Sequence, residues 1–345
     1  MNKGFSGLLK ISIAAIAAYL TFGAAHAANG SLTVYCSVQE EWCQAMVNEF
    51  QRETGINVAM TRKSSGETYA QVQAEAANPR GDVWWGGTGD PHLQAAEEGL
   101  TETYDSPMLA ELQPWAVSQH KTAGGKSVGI YMGALGFGYN EDLLKQKGVA
   151  APECWADLTK PEYKGEVQIA NPNSSGTAYT FVATMVQLLG EDKAFEYLRA
   201  LDENVNQYTK SGAAPSQAAA RGETLIGITF QHDLVTPRIT SNAPIVVVSP
   251  CEGTGFEVGS MSIIKGAPNL ENAKKWYDWA LTGKAQALGA QANSYQIPSN
   301  KSAPISEHSP KLEEIKLIDY DFAKFGSSEE RKRLLSKWDK EIGAK

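Results

Sequence analysis

Positive charge is scarce in this sequence. Lys and Arg total 31 residues against 39 Asp and Glu, which gives a formal net charge of -8 at pH 7. An acidic protein repels the phosphate groups of nucleic acids and of anionic membrane surfaces. We therefore expect neither a nucleic acid nor a membrane surface as a partner.

Motifs of the common enzyme classes are missing as well. The sequence has no H-E-x-x-H zinc motif, no G-x-S-x-G nucleophile turn and no P-loop. Its histidines are scattered, and His232 beside Asp233 has no serine on a recognisable nucleophile turn to complete a triad. The prediction is a protein that is not an enzyme and that holds no cofactor and no metal.

Long apolar runs are absent except at the N-terminus. Lys3 and Lys10 give a basic start to an apolar stretch from Ile11 to Ala25, and Ala25-His26-Ala27 fits the small-x-small cleavage rule. The alternative is an uncleaved membrane anchor, but the run is short for a bilayer span. We predict that residues 1–27 are a signal peptide, cleaved after Ala27, and that the mature chain is exported.

Cysteine is also rare, and its pattern indicates disulfides. The four residues are Cys36, Cys43, Cys154 and Cys251. In an exported protein four cysteines indicate two disulfides, with three possible pairings. Cys36 and Cys43 lie close in sequence, which leaves Cys154 and Cys251 to pair across a longer loop. Free thiols or a metal site are the alternatives, but the spacing C-x6-C fits no common zinc pattern.

What the sequence does contain is a repeated order of strand, turn and helix. The predicted strands Leu32 to Tyr35, Asn57 to Thr61 and Gly81 to Trp85 are each followed by a turn of small or polar residues and a helix. Such units indicate a parallel α/β sheet. In sheets of this kind the carboxyl ends of the strands form the ligand crevice. The mature chain is too long for one small core, so two domains are expected.

The most informative stretch is residues 166–180, EVQIANPNSSGTAYT. It predicts a buried strand, then the turn Ser174-Ser175-Gly176-Thr177, and a helix that follows at once. The free N–H groups and the dipole of a helix N-terminus bind anions without any formal positive charge. The alternative is an ordinary helix cap. Similar turns at Ser64-Ser65-Gly66 and Gly86-Gly87-Thr88 favour the anion site.

Several phrases, in this order, resemble a known family. LTVYCSVQEEW, FQRETGINV, GDVWWGGTGDPHLQAAEEGL, PEYKGEVQIANPNSSGTAY and GSMSIIKGAPNLENAKKWYDW look like the periplasmic solute-binding proteins of ABC importers, in the ferric-iron-binding branch. Together they cover nearly the whole mature chain. The resemblance implies a periplasmic monomer that captures a small molecule and docks on an inner-membrane ABC permease.

The same resemblance implies an α/β fold of the type 2 periplasmic binding protein class, with two lobes joined by two crossing strands that act as a hinge. Lobe 1 is expected to comprise residues 28–134 plus 260–305, and lobe 2 residues 135–259 plus 306–345. The crossings are predicted near residues 135 and 258. The Gly-rich stretch Val128 to Asn140 fits the first crossing, or alternatively a strand pair at the sheet edge.

Departures from the iron-binding pattern change the expected ligand. Gln231 and His232 stand where that branch has two metal-binding tyrosines, Gln39 stands at its histidine position, and its glutamate falls near Gly87. Ferric iron prefers anionic oxygen ligands, so we expect no iron site. The chain instead resembles the offshoot that binds phosphorylated sugars such as hexose 6-phosphates.

A sugar phosphate needs two kinds of contact. The phosphate is predicted to bind N–H and hydroxyl groups of Ser37, Ser65, Gly66, Thr88, Ser175, Gly176 and Thr177. The sugar hydroxyls are predicted to bind His232 and Asp233, at the end of a strand and before a helix that starts near Leu234, together with Glu257 at the second crossing. Capping of that helix by Asp233 is the alternative, and Glu252 is a weaker candidate than Glu257.

The predicted function is capture of an anionic small molecule, a hexose 6-phosphate such as glucose 6-phosphate or fructose 6-phosphate, for import. The phosphate is expected to bind one lobe and the sugar the carboxylates of the other, with closure about the hinge. The alternative ligand is a phosphonate such as 2-aminoethylphosphonate, whose amine would face a carboxylate, or ferric iron. A polyamine would require several acids and aromatics in the cleft and no anion site.

Overall fold

The computed structural model describes residues 30–343. The predicted signal peptide and its cleavage site after Ala27 lie outside these residues. Across the described range no helix combines the length and the apolar character needed to cross a bilayer.

Strands and helices alternate along most of the chain. The strands are β1 Ser31–Cys36, β2 Asn57–Arg62, β3 Val83–Trp85, β4 Val128–Asn140, β5 Val167–Ala170, β6 Val205–Thr209, β7 Ile226–Phe230, β8 Ile245–Val248, β9 Phe256–Ile263 and β10 Ile297–Pro298. The α-helices are α1 Glu40–Thr54, α2 Ser65–Ala74, α3 Gly89–Glu97, α4 Pro114–Thr122, α5 Glu141–Lys147, α6 Gly176–Leu189, α7 Glu191–Asp202, α8 Ala214–Ala220, α9 Gln231–Ser241, α10 Leu270–Ala280, α11 Gly283–Gln286, α12 Leu288–Gln291, α13 Phe322–Phe325 and α14 Ser328–Glu341. Short 3-10 helices cover Pro107–Glu111, Trp155–Thr159, Pro161–Tyr163 and Leu312–Glu314.

The strands form one sheet in the order β2-β1-β3-β9-β4-β7-β5-β6, with β8 and β10 also paired to β4. The pairs β1–β2, β1–β3, β5–β6 and β5–β7 are parallel, as the repeated strand–turn–helix units predict. The two central strands β4 and β9 run antiparallel to each other and to their outer neighbours β7 and β3.

β4 and β9 connect the two halves of the molecule. The first half of β4 pairs with β9 and β10, and its second half, from Leu135, pairs with β7 and β8. Val128 to Asn140 is therefore one continuous strand at the centre of the sheet. The alternative of a strand pair at the sheet edge is wrong, and the prediction of a crossing is confirmed. A Gly-rich strand suits this place because neighbouring side chains, such as that of His232 over Gly133, approach its backbone closely.

Two hydrophobic cores lie on either side of these crossing strands. One contains Phe50, Trp85 and Trp276, and the other contains Tyr179 and Phe181, each fully buried or nearly so. The first core draws on residues 32–131 and 261–285, and the second on residues 135–230 and 320–342. This distribution supports the lobe boundaries expected from the sequence, which we keep as a proposal.

The first helix shows how local sequence produces this packing. Trp42, Met46, Val47 and Phe50 recur at helical spacing and are all buried, so α1 turns one apolar stripe towards the sheet. Gly55 ends the helix with φ 69°, a left-handed conformation that glycine adopts at little cost.

Both expected disulfides are present, and their pairing is now defined. Cys36 at the end of β1 bonds Cys43 in α1, and Cys154 bonds Cys251 across 97 residues of chain. The neighbouring Glu252 carboxylate accepts hydrogen bonds from the N–H groups of Trp155 and Ala156 at 2.8 and 2.9 Å. Glu252 therefore stabilises this loop in lobe 2.

His92 is a buried titratable group that ties α3 to the sheet. Its ring stacks on Trp84 with centroids 3.7 Å apart, and Nε2 lies 3.1 Å from the Gly86 carbonyl oxygen. Nε2 must donate there, so Nδ1 accepts from the Ser262 hydroxyl at 2.8 Å. Burial lowers the pKa of His92 from 6.5 to about 3, so the imidazole is neutral in the folded protein.

This lowered pKa predicts a specific effect of pH on stability. The unfolded chain binds a proton at His92 below its ordinary pKa of 6.5, whereas the folded chain does so only near pH 3. The stability that His92 contributes is therefore present above pH 6.5 and is lost as pH falls. We expect His92→Gln to be less stable than the wild type at pH 7.5, with a gap that narrows between pH 6.5 and 4.5. Urea unfolding of both proteins checks this, and a gap that does not change with pH would contradict it.

Candidate functional site

A cavity lies between the lobes, at the carboxyl ends of several strands, and its empty space is about 410 Å³ with the part open to solvent included. Six helices begin at its wall. Their N-caps are Gln39 for α1, Ser64 for α2, Thr88 for α3, Ser175 for α6, Ala213 for α8 and Phe230 for α9, and all of these residues line the cavity. Helix N-termini present unpaired N–H groups and a partial positive charge. The wall therefore favours a negatively charged occupant.

Most residues predicted to bind the phosphate lie on this wall: Ser37, Ser65, Thr88, Ser175, Gly176 and Thr177. Gly66 is placed differently. Its N–H donates to the Ser174 carbonyl oxygen at 3.0 Å, so it joins α2 of lobe 1 to the turn before α6 in lobe 2. The N-termini of α2, α3 and α6 meet at one end of the cavity, and we call this the anion end.

The anion end is built from both lobes. α3 and α6 approach so closely that a Cβ at Gly176 would lie 1.9 Å from the Thr88 hydroxyl oxygen. The backbone N–H of Thr88 donates to the Ser65 hydroxyl at 3.2 Å. The residues predicted to bind the phosphate thus come from both expected lobes, because α2 and α3 fall in lobe 1 and α6 in lobe 2. The Thr88 hydroxyl itself is buried and, among the described residues, has no hydrogen-bond partner.

The same wall also holds a cluster of His232, Asp233 and Glu257, which we call the carboxyl end. His232 Nε2 lies 3.8 Å from an oxygen of Asp233 and 3.8 Å from an oxygen of Glu257. Asp233 accepts a hydrogen bond from the Gln39 amide at 2.5 Å. Its other oxygen lies 3.0 Å from the Thr229 hydroxyl, whose single proton is shared with the Gly212 carbonyl oxygen at 2.7 Å.

Protonation at the carboxyl end follows from burial. Burial raises the pKa of Glu257 well above its ordinary value, and the negative charge of Asp233 raises it further. Burial lowers the pKa of His232, although Asp233 opposes this shift. Glu257 is therefore a neutral carboxylic acid that can donate a hydrogen bond, and His232 a neutral imidazole.

Capping of α9 by Asp233 is wrong. The helix begins at Gln231, earlier than the sequence predicted, and Phe230 is its N-cap. His232 and Asp233 thus lie in the first turn. The Gln231 side chain does not line the cavity, because its amide donates to the Leu135 carbonyl and accepts from Ser249. Of the positions that match the iron-binding pattern, Gln39, Gly87 and His232 do line it.

Sequence reasoning missed one strongly charged residue, Arg62, at the end of β2. Its Nε donates to the Val38 carbonyl at 2.9 Å, and its Nη2 lies 3.3 Å from the Ser211 hydroxyl of lobe 2. Arg62 is the one Lys or Arg side chain on the cavity wall within residues 30–343. The expectation of an anion site without formal charge is therefore corrected. The available signal was an arginine at the end of a strand, two residues before the first serine of a Ser-Ser-Gly turn.

Tyr131 was also missed. Tyr131 lies on the crossing strand β4, and its hydroxyl accepts from the Gly87 N–H at 2.9 Å. Burial and the nearby Glu257 raise its pKa, so Tyr131 stays protonated. Its place at the centre of the cavity depends on the sheet pairing, which local sequence does not show.

The lobes touch on several sides of the cavity, so the structure is a closed arrangement. The contacts across the cleft join Gly66 to Ser174, Gln39 to Asp233 and Arg62 to Ser211. Thr236 of α9 also donates to the Asn293 carbonyl at 2.9 Å. A ligand that contacts both walls at once favours this arrangement over an open one.

Comparison with known proteins agrees with the fold. Residues 88–325 match the model of the bacterial extracellular solute-binding protein family. An uncharacterized protein of Haemophilus influenzae is 46% identical over 336 residues, which cover 97% of each chain.

Two solved structures are informative. The periplasmic binding protein AfuA from Actinobacillus pleuropneumoniae, with exogenous fructose-6-phosphate bound, is 46% identical with a TM-score of 0.89, covering 92% of this chain and 100% of that one. Iron-bound HitA from Pseudomonas aeruginosa is 20% identical with a TM-score of 0.74, covering 89% of this chain and 98% of that one. Together these matches confirm the expected fold of two α/β lobes.

Gly66 provides a test of closure that leaves the helices intact. A Cβ at this position would lie 2.2 Å from the Asn173 carbonyl oxygen across the cleft. Alanine suits a helix better than glycine by about 0.5–1 kcal/mol. We therefore expect Gly66→Ala to keep or raise the melting temperature of the ligand-free protein but to prevent full closure. Small-angle scattering with glucose 6-phosphate added checks this, and compaction equal to that of the wild type would contradict it.

Proposed function

Because this chain belongs to the bacterial extracellular solute-binding protein family, we propose that it captures a phosphorylated sugar, a hexose 6-phosphate such as fructose 6-phosphate or glucose 6-phosphate. The protein is the periplasmic solute-binding component of an ABC transporter and not an enzyme. Binding proteins of this family deliver their ligand to an inner-membrane permease. The identity of the ligand is the part that we propose.

The observation that carries the proposal is a single cavity whose wall holds both the anion end and the carboxyl end. The anion end offers the N-termini of α2, α3 and α6 and the unpartnered hydroxyl of Thr88, and the guanidinium of Arg62 lies on the same wall. These groups suit a phosphate, which accepts many hydrogen bonds and carries charge.

The carboxyl end suits the hydroxyl groups of a sugar. Asp233 accepts hydrogen bonds, the neutral Glu257 both donates and accepts, and the neutral imidazole of His232 does the same. A sugar hydroxyl also both donates and accepts, so it can pair with each of these groups. The similarity to a protein solved with fructose-6-phosphate bound supports the same ligand class.

The phosphonate alternative uses the same anion end but requires a cation at the carboxyl end. A protonated amine is stabilised by negative charge, and burial disfavours that charge on Glu257, which leaves Asp233 as the main partner there. Ferric iron would require the metal-binding residues of the iron-binding branch, and Gln39, Gly87 and His232 stand in their places here. Both alternatives are therefore ranked below a sugar phosphate.

Thermal-shift titration tests the ligand class directly. A ligand at 100 times its Kd stabilises the folded protein by about 2.7 kcal/mol. We expect a large shift with fructose 6-phosphate or glucose 6-phosphate, and little with glucose, inorganic phosphate, 2-aminoethylphosphonate or ferric citrate. A shift with one of the last two and none with the sugar phosphates would overturn the proposal.

We also propose that the mature protein is a monomer that starts at Ala28. The mass of the periplasmic protein in solution checks the monomer, and mass spectrometry checks the first residue.

Substitution of Arg62 or Asp233 should remove opposite kinds of contact with the ligand. Arg62→Met removes a charged donor to the phosphate, so we expect the Kd for the sugar phosphate to rise about 10- to 100-fold. Asp233→Asn removes an anionic acceptor and should weaken binding to a similar degree. Isothermal titration measures both. Arg238→Met, which alters an exposed arginine of α9, is the matched control; a Kd for Arg62→Met no higher than for this control would count against the assignment.

A further inference from the structure

One face of α3 carries polar side chains that point away from the cavity. Asp90 and Gln94 lie one turn apart and are buried, and Glu98 follows one turn later at the end of the helix. Buried polar residues in a row on one helix face are unusual, since such faces are normally apolar. We call this row of three residues the polar face of α3.

Each residue of the polar face meets the C-terminal segment of lobe 2. The Tyr320 hydroxyl lies 3.4 Å from the Asp90 carboxylate, and Arg331 Nε donates to the Gln94 side chain at 2.8 Å. Glu98 accepts from Ser328 and Lys332 at 2.5 and 2.7 Å. The C-terminal segment packs its apolar side chains, such as those of Leu334 and Trp338, into the core of lobe 2. The polar face of α3 is therefore a contact between the lobes outside the cavity.

Arg331 is the residue of this contact that also reaches α6. Its guanidinium carbon lies 4.0 Å from the centre of the Tyr179 ring, and Tyr179 belongs to α6. One buried side chain, 2% exposed, thus touches both α3 and α6. These two helices start at Thr88 and Ser175, which face each other at the anion end.

Arg331 is a buried cation whose charge acts on Asp90. Within residues 30–343 no ion pair within 4.0 Å joins its guanidinium to a carboxylate, and Nη1 is buried without a hydrogen-bond partner. Burial raises the pKa of Asp90, and the positive charge of Arg331 opposes that rise, so it offsets part of the cost of burying this carboxylate. Arg331 therefore joins the polar face of α3 to α6 by its charge as well as by its contacts with Gln94 and Tyr179.

We propose that Arg331 is a positioning residue for ligand capture: by bonding Gln94 and stacking on Tyr179 it aligns the anion-binding ends of α3 and α6 and favours the closed arrangement. The distances are short enough for this. Gln94 is about 9 Å along the helix from Thr88, and Tyr179 about 6 Å from Ser175, at 1.5 Å per residue. A rigid helix transmits a rotation over that length. The binding part of this inference rests on the proposed function, whereas the effect on lobe closure does not.

The test compares three substitutions in α14. Arg331→Met keeps the length of the side chain but removes its donors and charge. Arg331→Lys keeps the charge but loses the planar guanidinium. Arg333→Met is the matched control, because Arg333 lies in the same helix and pairs with Glu191 and Glu330 of the same lobe.

Stopped-flow binding of fructose 6-phosphate separates positioning from folding. We expect Arg331→Met to raise the dissociation rate and the Kd about tenfold while the association rate stays within about twofold. Arg331→Lys should lie between this variant and the wild type, and Arg333→Met should match the wild type. A lower melting temperature with unchanged Kd and rates, or an equal loss in Arg333→Met, would overturn the proposal.

A second measurement does not depend on the ligand. Spin labels carried by non-canonical residues at the exposed positions Gln44 and Lys210, one on each lobe, leave both disulfides intact. We expect Arg331→Met, and separately Gln94→Leu, to lower the closed population in the ligand-free protein. An unchanged distance distribution in both variants contradicts the proposal. If the wild type binds no sugar phosphate, the proposed function fails while this comparison still decides the role of Arg331.

Discussion

The partial positive charge of helix N-termini is the constraint on which the rest of this structure depends. Six helices begin at one cavity, and their partial positive charges favour a negatively charged partner. In the open state water can hydrate these helix ends. In the closed state the walls meet, and an anionic ligand can take the place of that water. Closure of the lobes and selection of an anion are thus two consequences of one arrangement.

The negative charge of Asp233 offsets part of the positive potential in the cavity. That potential comes from Arg62 and the helix N-termini. Gln39 and Thr229 contact the Asp233 carboxylate. A second charge there would repel a phosphate, and burial keeps Glu257 neutral. The cavity is thus suited to a molecule that is anionic at one end and rich in hydroxyl groups at the other, although the chain as a whole is acidic.

The local sequence predicted those features that neighbouring residues determine. The strand before Ser175, the apolar face of α1 and its end at Gly55 follow from periodicity, capping and glycine conformation. Most of the candidate site could be predicted because its residues follow strand ends. Arg62 was missed although it ends a strand before a Ser-Ser-Gly turn. Tyr131 and the contact of Gly66 with Ser174 could not be predicted, because they depend on how distant strands pair and how the lobes close.

The most direct measurement is a crystal structure of the mature protein grown with fructose 6-phosphate. We expect the phosphorus at the anion end, beside Thr88 and Gly176, with Arg62 donating to a phosphate oxygen. The sugar hydroxyls should contact Asp233, His232 and Glu257. A sugar phosphate bound in the reverse direction, or bound outside this cavity, would contradict the assignment of the two ends.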